Sequence, residues 1–255
     1  MAGEANKTSF KEKLRSGRVV VGTFLKTPHP IVAEVLSRTP LDVVCIDAEH
    51  APFDRGDVDA AVAAFRVGGT ASLVRVPSAD PTHLLSALDS GATGVVVPHV
   101  SDGADAEAAV RAAHFGPGGR GYAGSTRAAG FAGTPIADHL ARSRAETAVV
   151  GQIEDAEALA VLDDILSVDG LDAVFIGRID LTVSLGAARP DAPEVVEAVE
   201  EIVARARAAG RRVGMFTPTV EEARRWRDKG ASFFLLGSDH GFIMSGAAAL
   251  AEGLR

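Results

Sequence analysis

Residues 148–154 read AVVGQIE and residues 171–180 read LDAVFIGRID. Each is a short aliphatic run that hands off to a carboxylate, Glu154 in the first case and Asp180 in the second. The same hand-off recurs at residues 72–77, SLVRVP, which carry Arg75, and at residues 41–52, LDVVCIDAEHAP, which carry Asp47, Glu49 and His50. Continuously apolar runs of this length mark strands buried on both faces. When such strands are parallel and close into a barrel, their C-terminal ends share one mouth, where enzymes of that fold keep their active sites.

Outward from these runs, eight strand patterns recur: 18–25, 42–47, 72–76, 93–97, 148–153, 171–176, 212–216 and 232–237. Between them lie Ala-, Glu- and Arg-rich stretches with helical spacing at 30–38, 55–66, 80–89, 103–114, 155–167, 192–209 and 219–229, and the chain closes on another at 241–254. A strand followed by a helix, eight times over, predicts a (β/α)8 TIM barrel spanning residues 1–255 as one domain. A doubly wound open sheet would normally use fewer strands. Ser9 or Thr8 caps a short helix near 8–16 that Gly17 stops. The exception to the regular spacing is 115–147, whose glycine-rich part, 115–134, precedes a short helix from Pro135 to Arg144. Coming after a helix, this insertion belongs on the bottom face, so a functional role requires it to climb over the barrel or reach a neighbouring subunit.

The 255 residues are 47% hydrophobic, enough to bury a full core, and the net charge of −8 lacks the basic bias of a nucleic-acid binder. The single cysteine, Cys45, allows no internal disulfide and reads as a buried structural thiol. There is no secretory h-region at the N-terminus and no run long enough to cross a bilayer, so the expectation is a soluble cytoplasmic protein with no membrane partner. CxxC, HExxH and G-x-S-x-G are absent. Gly118-Gly119-Arg120-Gly121 lacks the spacing of a phosphate loop.

Each candidate has a plainer reading beside it. Glu154 and Asp180 suit a hard divalent cation; both also look like acidic first turns of helices. His50, three residues after Asp47, has the makings of a general base oriented by a carboxylate, or is a surface-loop histidine. Arg75 in an apolar strand either recognises a carboxylate or forms an interior salt bridge to Asp47 or Glu49, and both can hold together. Gln152 points the same way as Glu154 if the strand persists. His99 faces the mouth, and Ser238 or Asp239 can cap the final helix. His29, His83, His114 and His139 fall in or near helices and read as exposed.

The blocks GTFLKTPHPIVAEVLS, DVVCIDAEHAPFD, LVRVPSAD, LDSGATGVVVPHV, GPGGRGYAG, GQIEDAEAL, LDAVFIGRIDLTVSLG and LLGSDHGFI, running from about residue 22 to 242, resemble the metal-dependent class II pyruvate aldolases of the HpcH/HpaI aldolase/citrate lyase family. That group includes 4-hydroxy-2-oxoheptanedioate and 2-dehydro-3-deoxyglucarate aldolases. The resemblance implies reversible aldol cleavage of 4-hydroxy-2-oxo acids to pyruvate, or a related 2-oxo acid, and an aldehyde, through an enolate stabilised by Mg²⁺, Mn²⁺ or Co²⁺. It implies that Glu154 and Asp180 hold the ion and that His50, oriented by Asp47, is the acid/base. Arg75 then binds the oxo acid and stabilises the enolate, while Gln152 and the main-chain N–H groups from Gly177 through Ile179 to Asp180 hold the carboxylate. One departure is Gly177-Arg178-Ile179-Asp180, where the family commonly has proline in second place; Arg178 adds a charge that could meet an acidic substrate tail. No Schiff-base lysine lies at a strand end among the matched blocks; Lys26 is the nearest case. The final helix, GFIMSGAAALAEGL, has little charge, and the resemblance implies that it is exchanged between subunits of a homohexamer, a trimer of dimers. The alternatives are oxaloacetate decarboxylation or another metal-enolate carbon–carbon bond-forming reaction, a CoA-thioester lyase, and a non-catalytic barrel.

Overall fold

The computed structural model describes residues 9–255. Thr8 lies outside them; Ser9 caps the first helix, its hydroxyl accepting from the Glu12 N–H while the Glu12 carboxylate accepts from the Ser9 N–H. Eight strands form a closed barrel in sequence order: β1 (Val20–Leu25), β2 (Val43–Asp47), β3 (Ala71–Arg75), β4 (Gly94–Val97), β5 (Ala148–Ile153), β6 (Ala173–Ile176), β7 (Arg212–Thr217) and β8 (Phe233–Ser238), with β8 pairing back onto β1. Every pairing is parallel. The helices are α1 (Phe10–Arg15), α2 (Pro30–Ser37), α3 (Arg55–Gly68), α4 (Pro81–Asp89), α5 (Gly103–Ala113), α6 (Ile136–Glu146), α7 (Leu162–Ser167), α8 (Arg178–Ser184), α9 (Pro193–Ala208), α10 (Val220–Lys229) and α11 (Asp239–Leu254). The stretch expected to be helical at 155–167 divides into a 3₁₀ turn, Ala156–Leu159, and α7. Helix α8 carries Asp180 in its first turn, as the acidic helix-start reading had it, although 178–184 was not among the helical stretches, because its seven residues include β-branched Thr182 and Val183 and carry little apolar periodicity.

Two apolar layers follow from strands buried on both faces. Outward-facing residues such as Val44, Ile46, Val74 and Val95 pack under the helices. Inward-facing Val43, Cys45, Leu73, Val96, Val150, Phe175 and Phe233 fill the barrel. Helix α1 plugs the bottom with Phe10 and Leu14, Phe10 meeting the Phe233 ring edge-on at 6.2 Å, while Lys11 and Arg15 bind the buried Asp172 carboxylate at 3.1 and 2.8 Å. Cys45 is fully buried and burial pushes its thiol well above the ordinary value, which fits a structural thiol.

Three histidines read as exposed are not fully so: His139 is buried, and His83 and His114 are partly buried. The His114 Nδ1 is buried without a partner, and burial, then the charge of Lys11, lowers its pKa to about 4. The unfolded chain protonates near the ordinary histidine value of about 6.5. Between those values the unfolded state binds more protons, so stability falls as pH drops. Allowing for partial exposure, urea unfolding should lose on the order of 1–2 kcal/mol at this site between pH 7 and pH 5. In His114→Asn the pH dependence should be flatter by that amount; an unchanged slope would remove His114 as its source.

Candidate active site

The closed barrel brings the charged strand ends together as the sequence pattern required. Asp47 and Arg75 are register partners at the ends of β2 and β3. Both are buried, and the Arg75 Nε and Nη2 donate to Asp47 Oδ1 at 3.1 and 2.8 Å. Arg75 Nε also lies 3.2 Å from Glu49 Oε2, so the two interior salt bridges weighed from the sequence both form. Lys26, one residue past β1, adds its ammonium 3.2 Å from Asp47 Oδ2. Burial opposes ionisation of Asp47, but Arg75, the His50 main-chain donor and Lys26 outweigh it and hold its carboxyl below the usual carboxylate range. Burial moves Glu49 the other way: its carboxyl is raised, with the Glu154 charge adding to the effect and Arg75 opposing it.

Asp47 positions His50 differently from the expected imidazole–carboxylate pair. Its Oδ1 accepts from the His50 main-chain N–H at 3.1 Å, fixing the turn after β2. The imidazole is exposed toward the mouth, and the carboxylate facing it is Glu49, 3.8 Å from Nε2. The sequence order D-x-E-H holds both contacts; only the assignment of side chains differed.

Glu154, 1% exposed, stands one residue past β5. Its Oε1 accepts from the His99 main-chain N–H at 2.8 Å and its Oε2 from the Gln152 side-chain amide. Gln152 and Glu154 therefore do face the same way. Gly177 is required beside them: a Cβ there would sit 2.5 Å from Glu154 Oε2. The Gly177 N–H is committed to Ile153 O at 3.0 Å, so it cannot also receive a substrate carboxylate. The N–H groups that follow it open α8, whose first helical bond is Leu181 N–H to Gly177 O, and Ile179 and Asp180 both line the mouth.

His99 has φ +53°, an uncommon conformation for a non-glycine residue, two residues past β4. It brings Nδ1 within 3.0 Å of Asp155 and 3.5 Å of Glu154, and Nε2 within 4.0 Å of Glu49. Partial burial opposes protonation, but Asp155, Glu154 and Glu49 together raise its pKa. Glu49, His99 and Glu154 form a group whose potential ligand atoms lie within 4.8 Å of one another. The sequence did not connect these three, because they follow β2, β4 and β5. Asp180 lies outside this group.

The donor set suits a divalent cation. Glu154 is a buried carboxylate with no lysine or arginine paired to it, and Asp180 forms no ion pair, among the described residues. Beside them opens a cavity of about 590 Å³ lined by His50, Arg75 and Gln152 together with Phe24, Phe175, Ile179, Pro190, Phe216 and Pro218, the Arg75 guanidinium lying 4.9 Å over the Phe24 ring. Arg178 does not reach into it as a free charge: its guanidinium is paired with Glu222 at the start of α10. Asp239 is also structural, its buried carboxylate accepting from the Lys26 and Thr27 N–H groups at 2.7 and 3.0 Å, while Ser238 caps α11. The glycine-rich insertion lies against the outside of the barrel, held by Arg120 to Asp89 and Arg127 to Asp59.

A closed parallel (β/α)8 barrel carrying carboxylates, an arginine and histidines at one mouth defines an enzyme that handles small acids. The model of the HpcH/HpaI aldolase/citrate lyase family matches residues 20–245, and the chain belongs to that family. It is 39% identical to a 4-hydroxy-2-oxovalerate aldolase of Rhodococcus jostii, over 95% of this chain and 94% of that one. A hydroxypyruvate/pyruvate aldolase of Rhizorhabdus wittichii is 36% identical over 91% of this chain and 92% of its own. Among solved structures, a family member from Burkholderia cenocepacia superposes with a TM-score of 0.92 at 32% identity, covering 97% of this chain and 99% of that one. With such relatives over nearly its whole length, the chain is a carbon–carbon lyase of the aldolase type. Among the described residues, no helix is long and apolar enough to cross a membrane.

Proposed function

We propose that the chain catalyses divalent-metal-dependent, reversible cleavage of 4-hydroxy-2-oxo acids to pyruvate, or a related 2-oxo acid, and an aldehyde. The observation that carries this reading is the presence, at one mouth, of the buried Arg75 and of Glu154 and Asp180, two carboxylates that no lysine or arginine pairs among the described residues. Glu154 and Asp180 would hold the ion, with Glu49 and His99 close to Glu154; the all-oxygen pair favours Mg²⁺, Mn²⁺ or Co²⁺. A bound ion supplies Lewis-acid polarisation of the 2-oxo group. Arg75, held by Asp47 and Glu49, presents its remaining donors to the oxo acid, and Gln152, whose buried Oε1 has no partner, adjoins the same space. His50 takes the proton from the 4-hydroxyl. The C3–C4 bond then breaks, the aldehyde leaves, and the negative charge developing on the three-carbon fragment faces the Arg75 guanidinium until C3 is protonated to give pyruvate. Main-chain donors at Ile179 and Asp180, rather than at Gly177, would complete the carboxylate site.

Product analysis separates this from the alternatives on the same site. Pyruvate and aldehyde should appear in equal amounts from 4-hydroxy-2-oxo acids. Carbon dioxide from oxaloacetate as the faster reaction would favour a decarboxylase.

Substrate tail chemistry follows from the lining of the cavity. Since Glu222 neutralises Arg178, Asp47 neutralises Lys26, and Phe24, Phe175, Ile179, Pro190, Phe216 and Pro218 are apolar, uncharged aldehydes should be preferred to those bearing a carboxylate. Glu222→Gln would leave Arg178 unpaired beside the mouth and should raise kcat/KM for an acidic-tailed acceptor about tenfold, the order of one new charge-assisted hydrogen bond. A preference for acidic tails in the unaltered enzyme would contradict this assignment.

We further propose a homohexamer, a trimer of dimers, in which α11 is exchanged between subunits. Only Asp239 of α11 is buried within its own chain, while Phe242, Ile243, Met244, Leu250 and Leu254 are 47–92% exposed. This weighs against a final helix packed on its own barrel, since so large an exposed apolar surface calls for a partner. Sedimentation at micromolar concentration should give an assembly near six subunits; a monomer of 26.3 kDa would refute the exchange.

A further inference from the structure

At the end of the barrel opposite the mouth, where β4 and β5 begin, a cavity of about 210 Å³ opens between α3, α4, α6 and the glycine-rich insertion. Arg66, Arg120, His139, Arg142, Ser143 and Thr147 line it. Charge in this cavity is unbalanced. Arg120, stacked on the Phe115 ring, is matched by Asp89. Arg66 and Arg142, exposed at the rim, have no ion pair among the described residues; they donate to the main-chain carbonyls of Gly91 and Ala128 at 3.3 and 2.7 Å. Glu146, the one acid in the lining, forms no ion pair among those residues, though its charge acts on Arg66; it leaves the cations of the lining in excess.

Two residues of the lining also carry buried donors without acceptors. His139 is 2% exposed, and its Nδ1 lies 3.5 Å from the Arg142 guanidinium. Arginine can only donate, so Nδ1 accepts and the proton of the neutral ring sits on Nε2. That Nε2 is buried with no partner, and so is the Nε–H of Arg120, a residue 6% exposed. Burial, then the charges of Arg142 and Arg120, lowers the His139 pKa and favours this neutral, donating form. Buried donors are rarely left unpaired in folded proteins. Two of them beside two unpaired guanidiniums and the buried Ser143 and Thr147 hydroxyls make a complementary environment for negative oxygen.

We propose that this basal cavity binds a small oxyanion, a phosphate or a carboxylate, with Arg66 and Arg142 supplying charge and His139 and Arg120 supplying hydrogen bonds. Its volume lies below that of pockets for drug-sized ligands, which excludes a nucleotide. Because Arg142 also holds Ala128 and Arg120 belongs to the insertion, the anion ties residues 120–130 to α3 and α6 without entering the mouth.

The test is calorimetric titration of the full-length protein in Mg²⁺ at low ionic strength, with inorganic phosphate in one arm and acetate in the other. One anion should bind once per subunit, and the arm that binds more tightly identifies the source. The double variant Arg66→Gln/Arg142→Gln should bind it about ten- to a hundredfold more weakly, as expected for loss of charge-assisted hydrogen bonds. Its aldol turnover should be unchanged, because the mouth lies at the other end. Arg75→Lys should leave this binding unaltered. Arg142→Gln alone, changing one exposed rim residue, provides the same reading should the double variant unfold. No binding of either anion at millimolar concentration, equal binding in the basal variants, or loss of binding in Arg75→Lys would overturn the proposal.

Discussion

Replacing Arg75 with alanine is expected to lower kcat/KM for aldol cleavage about 10³-fold or more, the order of losing a preorganised donor to a developing oxyanion. The guanidinium is held by Asp47 at 2.8 and 3.1 Å and by Glu49 at 3.2 Å, so it is fixed before substrate arrives. The substitution also leaves two carboxylates in a buried setting with only Lys26 near Asp47, so a stability loss of about 3–5 kcal/mol should accompany it. Kinetics and unfolding must therefore be measured on the same preparation. Arg75→Lys keeps the charge but not the planar fork, and should be the more stable variant with most of the catalytic loss retained. A folded Arg75 variant within tenfold of the unaltered kcat/KM would remove this residue from oxo-acid recognition.

His50→Ala should reduce turnover by about 10²–10⁴-fold, the usual range for a general acid/base, while leaving metal affinity nearly intact. The substitution isolates the imidazole cleanly. Asp47 grips the main-chain N–H of His50, which alanine retains, so the turn after β2 should keep its shape. Glu49, 3.8 Å from the imidazole, is the carboxylate placed to orient it. Glu49→Gln should therefore lower turnover by a smaller factor than His50→Ala, and Asp47→Asn should act chiefly through Arg75. Unchanged turnover in His50→Ala would assign the proton transfer elsewhere.

The barrel was legible because its signal is local. Strands buried on both faces must be apolar throughout, and AVVGQI and DVVCID announce themselves without reference to any partner. The positions of Asp47, Arg75, Glu154 and Asp180 at strand ends were legible for the same reason. Pairings across the mouth were not. Glu49, His99 and Glu154 meet because β2, β4 and β5 take particular registers in a closed barrel, and no periodicity within one strand specifies that. Arg178 read as a free charge because its partner, Glu222, lies in the first turn of the helix that follows the next strand, β7. His139 read as exposed because its helix carries a weak apolar face, whereas its burial comes from Phe115 and Tyr122 of the insertion, whose rings lie 5.3 and 5.8 Å from it. The low charge of the final helix was plain in the sequence, but its near-complete exposure within one chain was not.

The central claim is that carboxylates at the mouth hold a divalent ion and that no lysine forms a covalent adduct with the oxo acid. It is tested most directly by treating the protein with excess chelator, assaying cleavage of a 4-hydroxy-2-oxo acid, and then adding back Mg²⁺, Mn²⁺ or Co²⁺. Activity should vanish with chelator and return with the ion, and Glu154→Gln should not recover at the same ion concentration. Full turnover in chelator, together with a pyruvate adduct trapped by borohydride, would contradict the account.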